Sequence, residues 1–154
     1  MLKKSVLFIC GEKGGDGVLN SHYNQNYTRE EIDTYLAKVK KCVSENRYVI
    51  SHNENRQENI DFINEYNIRT SKQKTILMGI ETEDFCHTLQ NTKRGFEHEV
   101  LYVFVPKVKL YNSDGEEENI EIYTKFNVID LPGGSRTVVI SFHKRNKPIE
   151  YLFR

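Results

Sequence analysis

The stretch "NIEIYTKFNVIDLPGGSRTVVISFHKR", residues 119–145, holds two runs of alternating apolar and polar residues on either side of a Pro-Gly-Gly sequence. Successive side chains of a strand point to opposite faces of a sheet, so each run predicts a strand with one buried face. Proline and glycine between two such runs are typical of a tight turn. The stretch therefore predicts two antiparallel strands, the second of which ends in His143, Lys144 and Arg145.

Further strands are predicted on both sides of this pair. The segment "EVLYVFVPKVKLY", residues 99–111, is rich in β-branched and aromatic residues, and Pro106 marks an edge or a bulge within it. The polar residues 112–119 are typical of a turn. The segment "PIEYLFR", residues 148–154, is a candidate for a last strand.

The chain before these strands is predicted to be mainly helical. Thr28 and Glu31 form the Thr-x-x-Glu pattern of a capping box, which predicts the start of the first helix. Thr82 is expected to cap the last helix, "EDFCHTLQ". The residues "RYVIS", 47–51, predict a short strand. The predicted helices cover residues 28–46, 56–66, 71–80 and 83–90.

Helices followed by a run of strands indicate an α+β fold, with the N-terminal helices packed on a small antiparallel β-sheet. We expect this domain to cover residues 28–154. Residues 1–27 are expected to form an N-terminal extension, with a short strand "SVLFIC" and a glycine-rich connector.

Bulk composition limits the functional classes. Lys and Arg number 22 and Asp and Glu number 22, so net charge alone does not indicate a polyanion partner and any such contact must come from local clusters. The three cysteines have no paired spacing, which argues against a disulfide framework and for a reducing cytoplasm. The apolar run Val6 to Cys10 is too short for a signal-peptide core or a membrane span.

Four segments resemble the MqsR family of bacterial toxin endoribonucleases in their order and spacing. They are "LAKVKKCVSENRYVIS" at 36–51, "ILMGIETEDFCHTL" at 76–89, "EIYTKFNVID" at 121–130 and "VVISFHKR" at 138–145. The resemblance covers about residues 28 to 145. It implies a RelE-like fold and a cytoplasmic toxin that cleaves messenger RNA without a metal or other cofactor. It also implies a cognate antitoxin protein, and as assembly a homodimer or a toxin–antitoxin hetero-oligomer.

The resemblance implies a set of site residues. The family has a lysine on the helix after its Gly-Leu/Ile turn, a polar residue before the first long strand, a tyrosine in the second strand and a lysine ending the third. These positions are occupied here by His87, His98, Tyr123 and His143 in turn. Two family lysines are therefore histidines, which removes a permanent cation but offers proton transfer near neutral pH.

The residues themselves suit RNA cleavage by internal attack. Attack by a 2′-OH needs a base, an acid for the 5′ oxygen, and cations around the transition state. Tyr123 and Lys125 share one face of their strand, and His143 and Arg145 share one face of theirs. If these faces coincide, aromatic rings can stack RNA bases while Lys125, Lys144 and Arg145 hold phosphates.

Two further expectations concern the structure, and a third concerns the pH dependence of the rate. Tyr123 is expected to be exposed, because Ile122 and Phe126 mark the opposite face of its strand as the buried one. Residues 100–105 are expected to offer an exposed strand edge to the antitoxin. If two histidines transfer the protons, the rate is expected to follow a bell-shaped pH profile around the unperturbed histidine value of about 6.5.

Other functions stay open on the sequence. A non-catalytic RNA- or protein-binding module with the same fold is favoured by the balanced net charge. A metal-dependent nuclease is disfavoured because no cluster of Asp, Glu and His has a recognisable spacing. A zinc site from Cys86, His87 and His98 is disfavoured because adjacent residues are poor co-ligands on a helix.

Overall fold

The computed structural model describes residues 22–53 and 56–154, and this part of the chain contains three α-helices and six strands. The predicted strand "SVLFIC" and most of the predicted N-terminal extension lie outside the described residues. The helices are α1 (Arg29–Ser44), α2 (Gln57–Glu65) and α3 (Thr70–Met78). The strands are β1 (Tyr48–Ile50), β2 (Phe85–Gln90), β3 (Val100–Phe104), β4 (Lys107–Tyr111), β5 (Glu117–Leu131) and β6 (Gly134–Lys144).

The strands form one sheet in the order β1-β6-β5-β3-β2, and β4 pairs with β5 alongside β3. The predicted pair of strands is the centre of this sheet, because β5 and β6 pair antiparallel from Ile122↔Lys144 to Leu131↔Gly134. β1 runs parallel to β6, so the sheet is mixed and not purely antiparallel as predicted. The α+β class is confirmed.

Pro106 interrupts the long strand predicted over residues 99–111. Phe104 pairs with Thr124 and Lys107 pairs with Glu121, so β3 and β4 follow each other along the same side of β5. Proline has no N–H to give to the ladder, which explains the break between them. β3 also pairs with β2 on its other side, so the expectation of an exposed edge at residues 100–105 is wrong.

The helices cover one face of the sheet. Thr28 and Glu31 form the predicted capping box at the start of α1, since each side chain accepts a hydrogen bond from the backbone N–H of the other. Apolar side chains from the three helices pack on the inner residues of the strands. The largest members of this core that are buried on the sheet are Phe85, Phe104, Ile122, Phe126 and Phe142.

Asn59 of α2 closes the edge of β6 where the short β1 ends. Its side-chain nitrogen donates to the carbonyl oxygens of Ser51 (2.8 Å) and Ile140 (3.0 Å), and its oxygen accepts from the N–H of Phe142 (2.8 Å). The fully buried amide therefore replaces the hydrogen bonds that a longer β1 would have made. This contact fixes the start of α2 beside the last residues of β6.

The helix predicted over residues 83–90 is wrong. Glu83 and Asp84 do lie in a helical turn, but it is one 3₁₀ turn over Thr82–Asp84, and the chain then enters β2. Thr82 does not cap a helix, since its hydroxyl donates to the carboxylate of Asp33 on α1. Pairing of β2 with the whole of β3 outweighs the local helix signal.

The strand proposed for residues 148–154 is also not formed. The C-terminal segment instead crosses the sheet face that the helices leave open, where Ile149 and Tyr151 pack against the buried side chains of that face. The hydroxyl of Tyr151 donates to the carbonyl of Val105 at 2.7 Å. The N–H of Leu152 donates to the carbonyl of Phe85 at 3.1 Å.

Candidate functional site

The predicted cluster on β5 and β6 forms on the sheet face opposite the helices. Tyr123 pairs directly with His143, and Lys125 pairs directly with Ser141. Opposed residues of an antiparallel pair point to the same face, so the two predicted faces coincide. The Tyr123 and His143 rings lie 5.5 Å apart between centroids, at an interplanar angle of 22°.

His87 joins the same face from the edge of the sheet. It pairs with Val103 of β3, and Val103 pairs in turn with Lys125. One row of side chains therefore runs across four strands, from His87 through Val103 and Lys125 to Ser141. The predicted helix would have separated His87 from the strands, whereas β2 aligns it with them.

Tyr123 is buried and not exposed as predicted, with 1% of its surface accessible. It packs with Cys86, Val103 and Val105 under the C-terminal segment. The alternation in β5 correctly predicts two faces. It gives no sign that the C-terminal segment covers the face that carries Tyr123. Burial raises the pKa of the Tyr123 hydroxyl, which has no hydrogen-bond partner among residues 22–53 and 56–154.

His87 is fully buried, and Tyr23 stacks on its ring at 3.7 Å between centroids and an angle of 8°. Neither ring nitrogen has a hydrogen-bond partner in the described part of the chain. The pKa of His87 is lowered from 6.5 to about 3. Burial is the largest cause, and the Lys147 and Lys125 cations add to it. His87 is therefore a neutral imidazole near pH 7 in this structure.

Residues 22–27 run along the outer edge of β2 and hold Tyr23 in place there. Asn24 and Thr88 exchange two backbone hydrogen bonds of 2.9 Å. The side chain of Gln25 donates to the carbonyls of Cys86 (2.8 Å) and Glu150 (3.1 Å). Part of the predicted N-terminal extension thus belongs to the sheet and closes one side of the site.

His143 lies at the open side of the site, with 11% of its side chain accessible. Its Nδ1 is 2.8 Å from the carbonyl oxygen of Lys144. A carbonyl only accepts, so Nδ1 carries the proton and Nε2 of the neutral ring holds the free lone pair. Nε2 is 3.8 Å from a carboxylate oxygen of Glu58, in the first turn of α2.

Lys125 is half-buried at the centre of the face. Burial lowers its pKa from 10.5 to about 8, and the neighbouring Arg56 and Lys147 cations contribute to that shift. Within residues 22–53 and 56–154, no carboxylate forms an ion pair with any of these three cations. The Lys147 ammonium also lies 4.8 Å above the Tyr123 ring.

The sequence reasoning missed Arg56 and Lys147. Lys147 continues the cationic run that begins at His143, and this continuation is a signal that could have been read. Arg56 has no such signal, because it reaches the face only through the placement of α2 beside β6.

The structure separates three other predicted residues from this cluster. Lys144 lies on the helix side, where it pairs with Glu65 at 3.3 Å and sits 5.0 Å over the Tyr66 ring. Alternation along β6 explains this, since His143 and Lys144 are adjacent. Arg145 lies at the margin, with its charge paired to Glu121 at 2.7 Å.

His98 lies outside the cluster, in the exposed connection between β2 and β3. These strands end at the Gln90↔Val100 pair, about 10 Å along the sheet from His87 at the usual rise per residue. His98 instead lines a separate cavity of about 330 Å³, whose walls include Tyr35, Tyr102 and Asp130.

Comparisons with known proteins find no family model, no curated protein and no solved structure that matches this chain. No helix among residues 22–53 and 56–154 is long and apolar enough to cross a membrane. In the same residues, no group of three or more His, Cys, Asp and Glu side chains is placed to hold a metal ion.

Proposed function

We propose that this protein is a metal-independent endoribonuclease that cleaves messenger RNA in the cytoplasm, as the toxin of a type II toxin–antitoxin pair. One observation carries the proposal. The β5–β6 register sets His143 beside Tyr123 and Lys125, on a face that holds three cations without carboxylate partners among the described residues. The resemblance of four sequence segments to the MqsR family supports the same chemistry.

His143 is suited to be the base that takes the proton from the RNA 2′-OH. The hydrogen bond from Nδ1 to the Lys144 carbonyl fixes the tautomer and the direction of the ring. Nε2 then offers its lone pair on the partly accessible side. The Glu58 carboxylate, 3.8 Å away, would stabilise the imidazolium that forms.

The cations are suited to hold the phosphate that is attacked. A phosphorane-like transition state carries more negative charge than the bound phosphodiester, so fixed cations stabilise it preferentially. Lys147 lies 4.8 Å over the Tyr123 ring, and Arg56 and Lys147 are close enough to Lys125 to lower its pKa. His87 does not add a fourth charge, since its pKa of about 3 keeps it neutral, and this disfavours His87 as a proton-transfer partner of His143 near neutral pH.

The proposal is tested by incubating the purified protein with a long RNA in the presence of a chelator and mapping the ends. Internal attack leaves a 2′,3′-cyclic phosphate and a 5′-hydroxyl, whereas a metal-activated water typically leaves a 5′-phosphate. We expect cleavage with the first pair of ends, and its loss in His143→Gln. Ends with a 5′-phosphate, or cleavage that the chelator abolishes, would contradict the mechanism.

A second candidate is a non-catalytic RNA- or protein-binding module with the same fold. The stacking of Tyr23 on His87 and the burial of Tyr123 favour it, because both close part of the face. Induction in a bacterial host separates the two. A toxin stops growth and its His143→Ala variant does not, while a binding module produces neither effect.

The proposed toxin needs a protein inhibitor, and β4 offers the edge on which one can add a strand. Among the described strands β4 pairs only with β5, which leaves the outer side of Lys107–Tyr111 without backbone partners. Tyr111 on this edge is 60% exposed. An antitoxin expressed from the neighbouring gene should therefore protect β4 amides from hydrogen exchange when it binds.

A further inference from the structure

We propose that Lys125 is the catalytic acid of this site, the group that gives a proton to the departing 5′ oxygen of the RNA. This assignment rests on the proposed function, and it names the acid that would act together with His143 as the base. Lys125 lies on the strand next to His143, two residues from Tyr123, and pairs with Val103 and Ser141 in the row that begins at His87.

The surroundings of Lys125 leave its amine free to act. Val103 and Ser141 flank it on the neighbouring strands, and neither is charged. No carboxylate pairs with it within residues 22–53 and 56–154. Among residues 22–53 and 56–154, the titratable and charged groups on this face include Tyr23, Arg56, Cys86, His87, Tyr123, His143, Lys147 and Tyr151, with Glu58 beside His143.

Three other groups on the face, His87, Tyr123 and Arg56, are poorly suited to supply this proton near pH 7. His87 is neutral, since its pKa is about 3. Burial raises the pKa of the Tyr123 hydroxyl, which makes it a poorer acid than a free tyrosine. Arg56 is a guanidinium, which does not release protons in proteins. His143 faces the base side of the reaction with its Nε2 lone pair.

The step balances as follows. His143 Nε2 takes the proton of the 2′-OH while the O2′–P bond forms, and the P–O5′ bond breaks as the Lys125 ammonium protonates O5′. The products are a 2′,3′-cyclic phosphate and a 5′-hydroxyl. The protein is left with a His143 imidazolium and a neutral Lys125 amine, and exchange of one proton with solvent restores both.

Burial among cations makes Lys125 a better acid than an ordinary lysine. Its pKa is lowered to about 8, first by desolvation and then by Arg56 and Lys147. A catalytic acid is most effective when its pKa lies near the working pH. At pH 7 such an amine is still about nine-tenths protonated, yet it releases its proton far more readily than a lysine titrating near 10.4.

The experiment compares two RNA substrates that differ at one atom. The first has the natural O5′ at the cleaved bond, and the second has sulfur there, a 5′-bridging phosphorothiolate. A thiolate leaves without being protonated, so the sulfur substrate does not need the acid. Wild type, Lys125→Met and Lys125→Arg are assayed on both, with Lys72→Met as the matched control from the exposed side of α3.

We expect Lys125→Arg to cleave the oxygen substrate about 10²–10⁴-fold more slowly than wild type, and the sulfur substrate within a few-fold of it, because it keeps the cation but does not release a proton. It should bind a non-cleavable 2′-O-methyl RNA as wild type does. Lys125→Met also loses the cation, so it should slow both substrates, and the oxygen substrate more than the sulfur substrate. Lys72→Met should match wild type throughout. Equal losses of Lys125→Arg on both substrates, or its near-normal cleavage of the oxygen substrate, would overturn the assignment of Lys125 alone.

A pH series on wild type tests the same point without a variant. The rate on the oxygen substrate should fall as the pH rises through about 8, and this limb should be missing on the sulfur substrate. The same limb on both substrates would overturn the assignment. If wild type cleaves neither substrate under any condition, the proposed function fails, and the role of Lys125 fails with it.

Discussion

The buried His87 should make the protein sensitive to acid well above the pH at which carboxylates titrate. The folded protein keeps His87 neutral down to about pH 3, whereas the unfolded chain protonates it at about 6.5. Between these values the unfolded state binds one more proton than the folded state. Stability is therefore complete above the unfolded value and is lost as the pH falls through that window.

The size of this loss follows from the two values. Each pH unit within the window costs about 1.4 kcal/mol of the free energy of unfolding. Between pH 7 and pH 5 the linkage amounts to about 2 kcal/mol, because the unfolded histidine is still titrating near pH 7. Because the imidazole has no hydrogen-bond partner among the described residues, His87→Leu removes the linkage without leaving any of their polar groups unpaired.

The assay is urea unfolding of wild type and His87→Leu at about pH 7 and about pH 5. Other titrating groups are common to both proteins, so the difference between the two pH-induced changes isolates His87. We expect wild type to lose about 2 kcal/mol more than His87→Leu over this range. Equal losses in the two proteins would refute the buried, neutral state of His87.

Three further outcomes are expected. Tyr23→Ala should raise the pKa of His87 towards its ordinary value, since the stacked ring contributes to its burial; an NMR titration measures this, and Tyr23→Phe should leave the pKa low. Asn59→Leu should lower the free energy of unfolding by about 2–4 kcal/mol in urea melts, because it leaves the N–H of Phe142 and buried carbonyls without partners. His143→Gln should reduce RNA cleavage by about 10²–10⁴-fold, while His143→Lys should bind non-cleavable RNA normally and still cleave slowly, as a gel-based assay would show.

Alternation in the sequence was enough to predict the centre of the fold. The β5–β6 pair, the shared face of Tyr123, Lys125 and His143, and the break at Pro106 all follow from side-chain alternation and turn chemistry. The capping box of α1 could also be predicted, because its signal is confined to four consecutive residues. Each of these features is determined by residues that are close together in the sequence.

The features that the sequence did not predict depend on contacts between distant segments. β2 carries helix-like acidic residues at its start, and only its pairing with β3 makes it a strand. Tyr123 is buried because residues 149–151 return across the sheet. Arg56 reaches the site because Asn59 anchors α2 to the edge of β6. A single sequence gives no local sign of such contacts.

Burial of this sheet face lowers the pKa values of two basic side chains, His87 and Lys125, with opposite consequences for their proposed roles. Burial and neighbouring cations lower the pKa of His87 from 6.5 to about 3 and that of Lys125 from 10.5 to about 8. The direction and the causes are the same, since both groups are cationic when protonated. The histidine is thereby moved out of the range in which it can exchange protons near neutral pH, and the lysine is moved towards that range. Reasoning from unperturbed pKa values favours His87 for the proposed proton transfer, whereas the pKa values in the folded protein favour Lys125.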